Sequence, residues 1–505
     1  RVANTARQPR ASVWSAVNKR SCDPPTATGW VFRGMVKGRP QCLLLGAFGL
    51  AGHAAAPDDA PSHQTSARHS PACNSAGKLP TPSTLPLSWH KRHSNRPDRA
   101  CKLNHAENTS RLVACALARM RASGKASMVA FGGSVTWGAS VETSRGPWPT
   151  WPNLLAARFE ASGGIKAMTV RNLAIRAAGA EAPALCTEPL LTIGHDGMPF
   201  SDQYGQSCGH SSSAPAEPVD IVGVEFSVNG INQLDLLLTN VRRLYPNAII
   251  VYVQHVRHYD IPLSKEQQGS GTCPLPAVLQ KWLAQAPGAL LFSMRTALQV
   301  HPLHESMRFY RADRLHLSAT GHTAVADGVW AAVHAAAAHR SWEPSTSPCP
   351  VADSSPEVDP DRHSRCWIWY TSGVVEGRGL SVAGSGWDLR HVHDAATKFA
   401  LEPTGAVGTA RRELELSFNI TRSTDVYLAF MRDEASYGVA NVTLDHRAAP
   451  ISIDGSPPGY GHGTLLNIQK VGRLRHQGRH RLGVLVIGDA NRSRFAVCGL
   501  ILRSL

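Results

Sequence analysis

The sequence has no apolar run long enough to cross a bilayer, which takes about 20 residues. The stretch at 42–50 is too short, and the Ala-rich piece at 331–338 carries His334 and reads as a helix end. No transmembrane span is therefore expected. There is no Cys-x-x-Cys and no Cys/His spacing of the kind zinc requires. His195-Asp196 and the pair His255 and His258 lack the carboxylate or cysteine partners of a metal site, so no metal and no cofactor are expected. No internal repeat is evident. Charged residues make up 18% and hydrophobic ones 43% of the 505 residues, ordinary values for a globular protein, which exclude disorder throughout and allow two or three domains. The formal charge is +15, but the basic residues are scattered and much of the surplus precedes residue 105, so no nucleic-acid face is expected.

Residue 1 is Arg, and Met35 is the expected start. Lys37 and Arg39 follow, then the apolar run 42–50, then Ala54-Ala55-Ala56 with small residues where a signal peptidase cuts. Residues 1–56 thus read as an upstream segment and signal peptide, and 57–105, rich in Pro, Ser, His and Ala, as a disordered linker. A secreted or lumenal location is expected. Sequons at Asn108, Asn419, Asn441 and Asn491 agree with export. Of 11 cysteines, Cys22 and Cys42 leave with the leader, and the odd remainder implies a free thiol or an intermolecular bond. Pairing of Cys186 with Cys208 and of Cys366 with Cys498 is expected.

From residue 106 the character changes. Leu112, Val113, Leu117 and Met120 recur at helical spacing before Gly124, and an apolar strand follows, ending at Phe131. The alternation continues: helix 151–159, strand 168–173, strand 220–228, helix 231–244, strand 248–253, helix 278–284, strand 289–292 and helix 319–338. Strands apolar on both faces and separated by helices predict a parallel sheet covered on both sides over 106–340, with functional groups at the strands' carboxyl ends. A Pro/Ser/Asp linker spans 341–360. Beyond it, over 361–505, period-two segments at 414–418, 426–430, 439–444 and 482–487 predict a smaller antiparallel β-sandwich. Trp367, Trp369, Tyr370 and Trp387 there either form core or stack on sugar rings.

Ser134 directly follows a strand and two glycines, where the chain can turn sharply and a helix can start. Far downstream, Asp313-Arg314-Leu315-His316 precedes the last helix, at a spacing that lets the carboxylate reach the imidazole Nδ1 and leaves Nε2 for the serine. The candidate nucleophile is Ser134, the base His316 and the orienter Asp313. Oxyanion donors are expected from the Ser134 N–H, from Gly179 and from Asn229, each in a connection at the sheet's carboxyl edge.

These blocks resemble the SGNH (GDSL-type) hydrolases. The resemblance rests on Phe131-Gly132-Gly133-Ser134-Val135-Thr136, on Asn172-Leu173-Ala174 through Gly179, on Val224-Glu225-Phe226-Ser227-Val228-Asn229-Gly230, and on Asp313-Arg314-Leu315-His316 with Gly321-His322. The Gly-Gly-Ser form with a C-terminal β domain is similar to plant and algal members. The resemblance implies a flavodoxin-like three-layer α/β/α fold and a serine esterase mechanism without metal, with the roles just named. Two positions depart from the family pattern: Gly133 replaces the usual acidic residue, and Gly230 the usual Asp. The expected reaction is hydrolysis of a small acyl ester, such as acetyl on a polysaccharide, through an acyl-serine. Two other readings stay open: an O-acyltransferase with the same triad, and a noncatalytic carbohydrate-binding or cell-surface protein on this scaffold.

Overall fold

The computed structural model describes residues 108–139, 141, 149–162, 164–192, 218–261, 275–298, 303–338, 364–372, 379–384, 386–392, 398–404, 413–432, 437–445, 449–456, 465–487 and 494–505, besides residues 35–36 and 39–40. Two compact units divide the chain, Arg1–Pro71 and Ala72–Leu505. In the first, Met35–Val36 pairs antiparallel with Arg39–Pro40; the rest of the expected leader, with His195, Cys208 and Asn491, lies outside the described residues.

Among its described residues the second unit begins with α1 (Thr109–Ser123), stopped by Gly124 at φ +67, a conformation that favours glycine. Then come β1 (Lys125–Gly132), α2 (Ser134–Trp137), α3 (Trp151–Ser162), β2 (Ala167–Asn172), α4 (Glu181–Leu185), α5 (Thr187–Thr192), β3 (Ile221–Glu225) and α6 (Leu234–Leu244). β4 (Ile249–Gln254), α7 (Ala277–Gln285), β5 (Ala289–Ser293), α8 (Met294–Leu298), α9 (Leu303–Ser306) and α10 (Ala319–Ala338) complete the alternation. The strands form one parallel sheet in the order β2-β1-β3-β4-β5. Because side chains alternate along a strand, Met128, Ala130, Ile249 and Val251 face one core, with α1, α3 and α10. Val129, Phe131, Ile250 and Tyr252 face the other, with α4 to α7. The strand order reverses between β1 and β3, which puts a crevice at their carboxyl ends.

After residue 364 come β6 (Ser364–Ile368), α11 (Trp369–Ser372), β7 (Leu380–Ala383), β8 (Trp387–His391), β9 (Phe399–Pro403), β10 (Glu413–Ile420), β11 (Thr424–Arg432) and β12 (Val439–Leu444). β13 (Ile451–Asp454), β14 (Leu465–Leu474), β15 (Gly478–Ile487) and β16 (Val497–Ser504) finish the chain. They form two antiparallel sheets, β8-β9-β16-β11-β14 with β6 on β16, and β13-β12-β15-β10-β7. Leu416, Phe418, Val426, Leu428, Leu482 and Leu500 fill the space between them, the core of a β-sandwich. The outer face of the first sheet is also apolar: Ile368, Ala429, Met431, Leu466 and Ile501 continue the core that α4 to α7 share with the parallel sheet.

Three expectations are corrected. The strand expected over 220–228 ends at Glu225, because the N–H groups of Asn229 and Gly230 turn back to the Phe226 carbonyl, 3.2 Å each, and Gly230 adopts φ +120. Cys186 pairs with Cys366 rather than Cys208, their Cα atoms 6.0 Å apart, because β6 packs beside α5, which starts directly after Cys186. Cys498 is a buried free thiol. Of the two readings left open for Trp367, Trp369, Tyr370 and Trp387, burial favours core: all four are buried.

Candidate active site

β1 delivers Ser134 to the crevice through two glycines whose size is dictated by their neighbours. A Cβ on Gly132 would strike the Thr136 side chain and the Glu225 carbonyl, and one on Gly133 would overlap the Asn229 amide. Gly133 N–H donates to the Glu225 carbonyl at 3.2 Å, tying the turn to β3. Asn172 Nδ2 holds the Thr136 carbonyl from below at 2.7 Å. The serine that results is half-buried, at the first position of α2.

His316 meets it from the connection before α10. His316 Nε2 lies 2.9 Å from Ser134 Oγ, and Nδ1 donates to Asp313 Oδ2 at 2.7 Å. Asp313 Oδ1 accepts the N–H groups of Leu315 and His316, 2.9 Å each, so the carboxylate shapes the loop as well as the ring. Partial burial works to raise the Asp313 pKa, but these bonds outweigh it and hold the carboxyl below its ordinary range. On the loop's other side the His258 N–H donates to the Arg314 carbonyl at 2.9 Å and His255 Nε2 donates to the Leu315 carbonyl at 2.8 Å. Arg314 sits at φ +57, a left-handed conformation that these bonds on either side over-determine.

Asn229 and Gly179 also converge on the serine. Asn229 Nδ2 lies against Gly133 and donates to the Ala178 carbonyl at 3.2 Å, which leaves its second amide hydrogen for the crevice. Gly179 packs on the carbonyls of Asn229 and Gly230, which a Cβ would meet at 3.2 and 3.1 Å. Among the described residues, the N–H groups of Ser134 and Gly179 are committed to no other acceptor. All five residues expected at the site therefore meet there. The two glycines that differ from the SGNH pattern this sequence resembles also have a physical reason: Gly133 makes room for the Asn229 amide, and Gly230 takes a positive φ.

Comparison with known proteins gives no matching family model and no matching curated protein. A solved structure of a two-domain esterase active on acetylated mannans is similar at 13% identity and TM-score 0.50, covering 80% of this chain and 98% of that one. The chain shares the fold of that two-domain protein. A structure of such an esterase co-crystallised with mannopentaose aligns at 12% identity and TM-score 0.49, covering 80% and 97%. A family 35 carbohydrate-binding module from Clostridium thermocellum aligns at 10% identity and TM-score 0.18, covering 28% of this chain and 98% of its own.

This two-domain chain also buries a polar network behind the serine, which sequence reasoning missed. Trp151 Nε1 donates to Thr136 Oγ1 at 3.1 Å, Thr136 donates to Glu225 Oε2 at 3.2 Å, and the Trp151 N–H donates to His322 Nδ1 at 3.2 Å. Its signal was a single acid, Glu225, in an otherwise apolar strand. Burial raises the Glu225 pKa from the ordinary 4.5 to about 7, against the bonds from Thr136 and from backbone N–H groups. His255 and His322, fully buried, are pushed by that burial to about 4 and about 3. His258 is buried as well, its Nε2 shared by the Leu303 carbonyl and Ser306 Oγ, so it is not poised to touch substrate.

The sign of the resulting pH dependence follows from Glu225. Folded, it keeps a proton that the unfolded chain loses near pH 4.5, so its share of stability is full below that pH and is lost as pH rises through about 7. Glu225→Gln should remove that slope, a change on the order of 3 kcal/mol across the window. Denaturation midpoints of both proteins from pH 4.5 to 8 measure it. His255 and His322 act with the opposite sign, losing stability as pH falls below 6.5, and cancel in the difference.

Proposed function

We propose that this chain is a secreted serine esterase that removes a small acyl group, acetyl in the first instance, from a polysaccharide. The observation that carries the reading is the unbroken line from Ser134 Oγ through His316 to Asp313. In the proposed cycle Ser134 Oγ attacks the ester carbonyl carbon as its proton passes to His316 Nε2. Asp313 holds Nδ1 and steadies the imidazolium. The negative oxygen of the tetrahedral adduct takes hydrogen bonds from the Ser134 N–H, the Gly179 N–H and Asn229 Nδ2. Collapse breaks the C–O bond to the sugar, and His316 returns the proton to the departing alkoxide. Water then repeats the sequence on acyl-Ser134 and releases the carboxylic acid.

The substrate class is drawn from the acetylated mannans on which the similar two-domain esterase acts. Export is supported by the leader pattern at 35–56, by the exposed sequon asparagines Asn108 and Asn419, and by the Cys186–Cys366 disulfide. The test is a series of p-nitrophenyl esters of increasing acyl length beside acetylated and deacetylated mannan, with acetate release as the readout. Turnover favouring acetyl, together with labelling of Ser134 by a fluorophosphonate, supports the reading. Acyl transfer to an added sugar in preference to water would favour the acyltransferase. No labelling and no turnover would favour the noncatalytic protein.

A further inference from the structure

The segment that carries Gly179 is fastened to the β-sandwich on both sides. Before Gly179, the Leu466 N–H of β14 donates to the Ala177 carbonyl at 3.0 Å, and Ala178 forms a parallel bridge with Leu466. Just after it, the Glu181 carboxyl accepts the Ile468 N–H, and Cys186 closes the segment with a disulfide to Cys366 of β6. Ala177 is held at φ +60, a left-handed conformation a non-glycine residue keeps only when its surroundings impose it. The Ala178 carbonyl is in turn the acceptor of Asn229 Nδ2. Both expected crevice donors beyond Ser134 thus rest on a loop that the second domain grips.

We infer that the β-sandwich is a working part of the catalytic centre, its β14 edge setting the position of the Gly179 N–H and the Asn229 amide that receive the oxyanion. The inference rests on the esterase reading and adds to it a role for the second domain. β14 is the edge of its sheet, and Leu466 N–H points away from the ladder toward the loop. Edge strands supply such N–H groups for pairing with other chain segments, and here the partner is the oxyanion loop itself. Leu466 acts as a positioning residue through its backbone, without touching substrate. Cys186 and Cys366 make the attachment covalent.

Because proline is tolerated on an edge strand where the N–H faces outward, Leu466→Pro removes the bond to Ala177 and keeps the ladder. In the full-length protein it should lower kcat for p-nitrophenyl acetate by about tenfold or more with KM within about twofold, as expected for a group acting only in the transition state. A phenylboronic acid, which forms a tetrahedral adduct on an active serine, should bind weaker by the same factor. Leu466→Ala, which keeps the N–H, should lose far less kcat, although it gives up more packing. Should Leu466→Pro not fold, the Cys186→Ser, Cys366→Ser double variant reads the same coupling and should show the same joint loss of kcat and boronate affinity. A folded Leu466→Pro, or a folded double variant in its place, with wild-type kcat and boronate affinity overturns the inference while leaving the esterase reading intact. A wild-type protein that neither turns over esters nor takes the fluorophosphonate overturns both.

Discussion

Ser134→Ala should reduce ester turnover to the uncatalysed background while leaving the fold unchanged, and His316→Ala should cost roughly 10⁴-fold or more in kcat. The hydroxyl has one partner in the site, His316 Nε2, and sits half-buried at the crevice, so its removal leaves neither a cavity nor an orphaned core group. Stability and turnover should therefore separate cleanly in this variant. Loss of the imidazole removes the proton acceptor without removing the oxyanion donors, so a residue of acceleration should remain in His316→Ala. Steady-state hydrolysis of p-nitrophenyl acetate beside a urea denaturation curve distinguishes the cases. Wild-type turnover in either variant would remove Ser134 and His316 from the mechanism.

The parts of this molecule that were legible in sequence are those where one physical requirement dominates. β1, β3 and β4 are buried on both faces, so their apolar runs announce a covered parallel sheet, and Gly124 and Ala338 bound their helices where periodicity stops. Ser134, Asp313 and His316 stand out in sequence because a nucleophile, a base and an orienting carboxylate call for a restricted set of residue types, and the structure brings these three side chains together. Where two requirements compete, the signal blurs. β14 and β16 pack an outer face against the first domain as well as an inner face against the sandwich core, which erases the period-two alternation that exposed β10 and β12. The disulfide is hidden in sequence for the same reason: Cys186 and Cys366 are 180 residues apart and meet because the two domains share a core. In sequence Glu225 looks like one more strand residue. Its carboxyl costs free energy to bury, and it is held by Thr136 and backbone N–H groups directly behind the serine turn.

Gly133→Ala and Asn229→Ala should each lower kcat by on the order of 10²- to 10³-fold with little change in KM, because both take away the same oxyanion donor. Gly133 lies at φ −92 and ψ −152, extended backbone outside the left-handed region that favours glycine. The added methyl therefore acts through space alone. Its position coincides with Asn229 Nδ2, so the amide must swing away from the crevice and from the Ala178 carbonyl. Asn229→Ala removes that amide outright and leaves the serine turn untouched. If the two changes act on one group, the double variant should be no slower than the worse single one, since a donor cannot be lost twice. Losses that multiply would instead show that Gly133 serves the turn carrying Ser134 independently of Asn229. The measurement is kcat for p-nitrophenyl acetate in the four proteins of the cycle. A Gly133→Ala variant with wild-type kcat would mean that the Asn229 amide does not work from where it stands beside the serine.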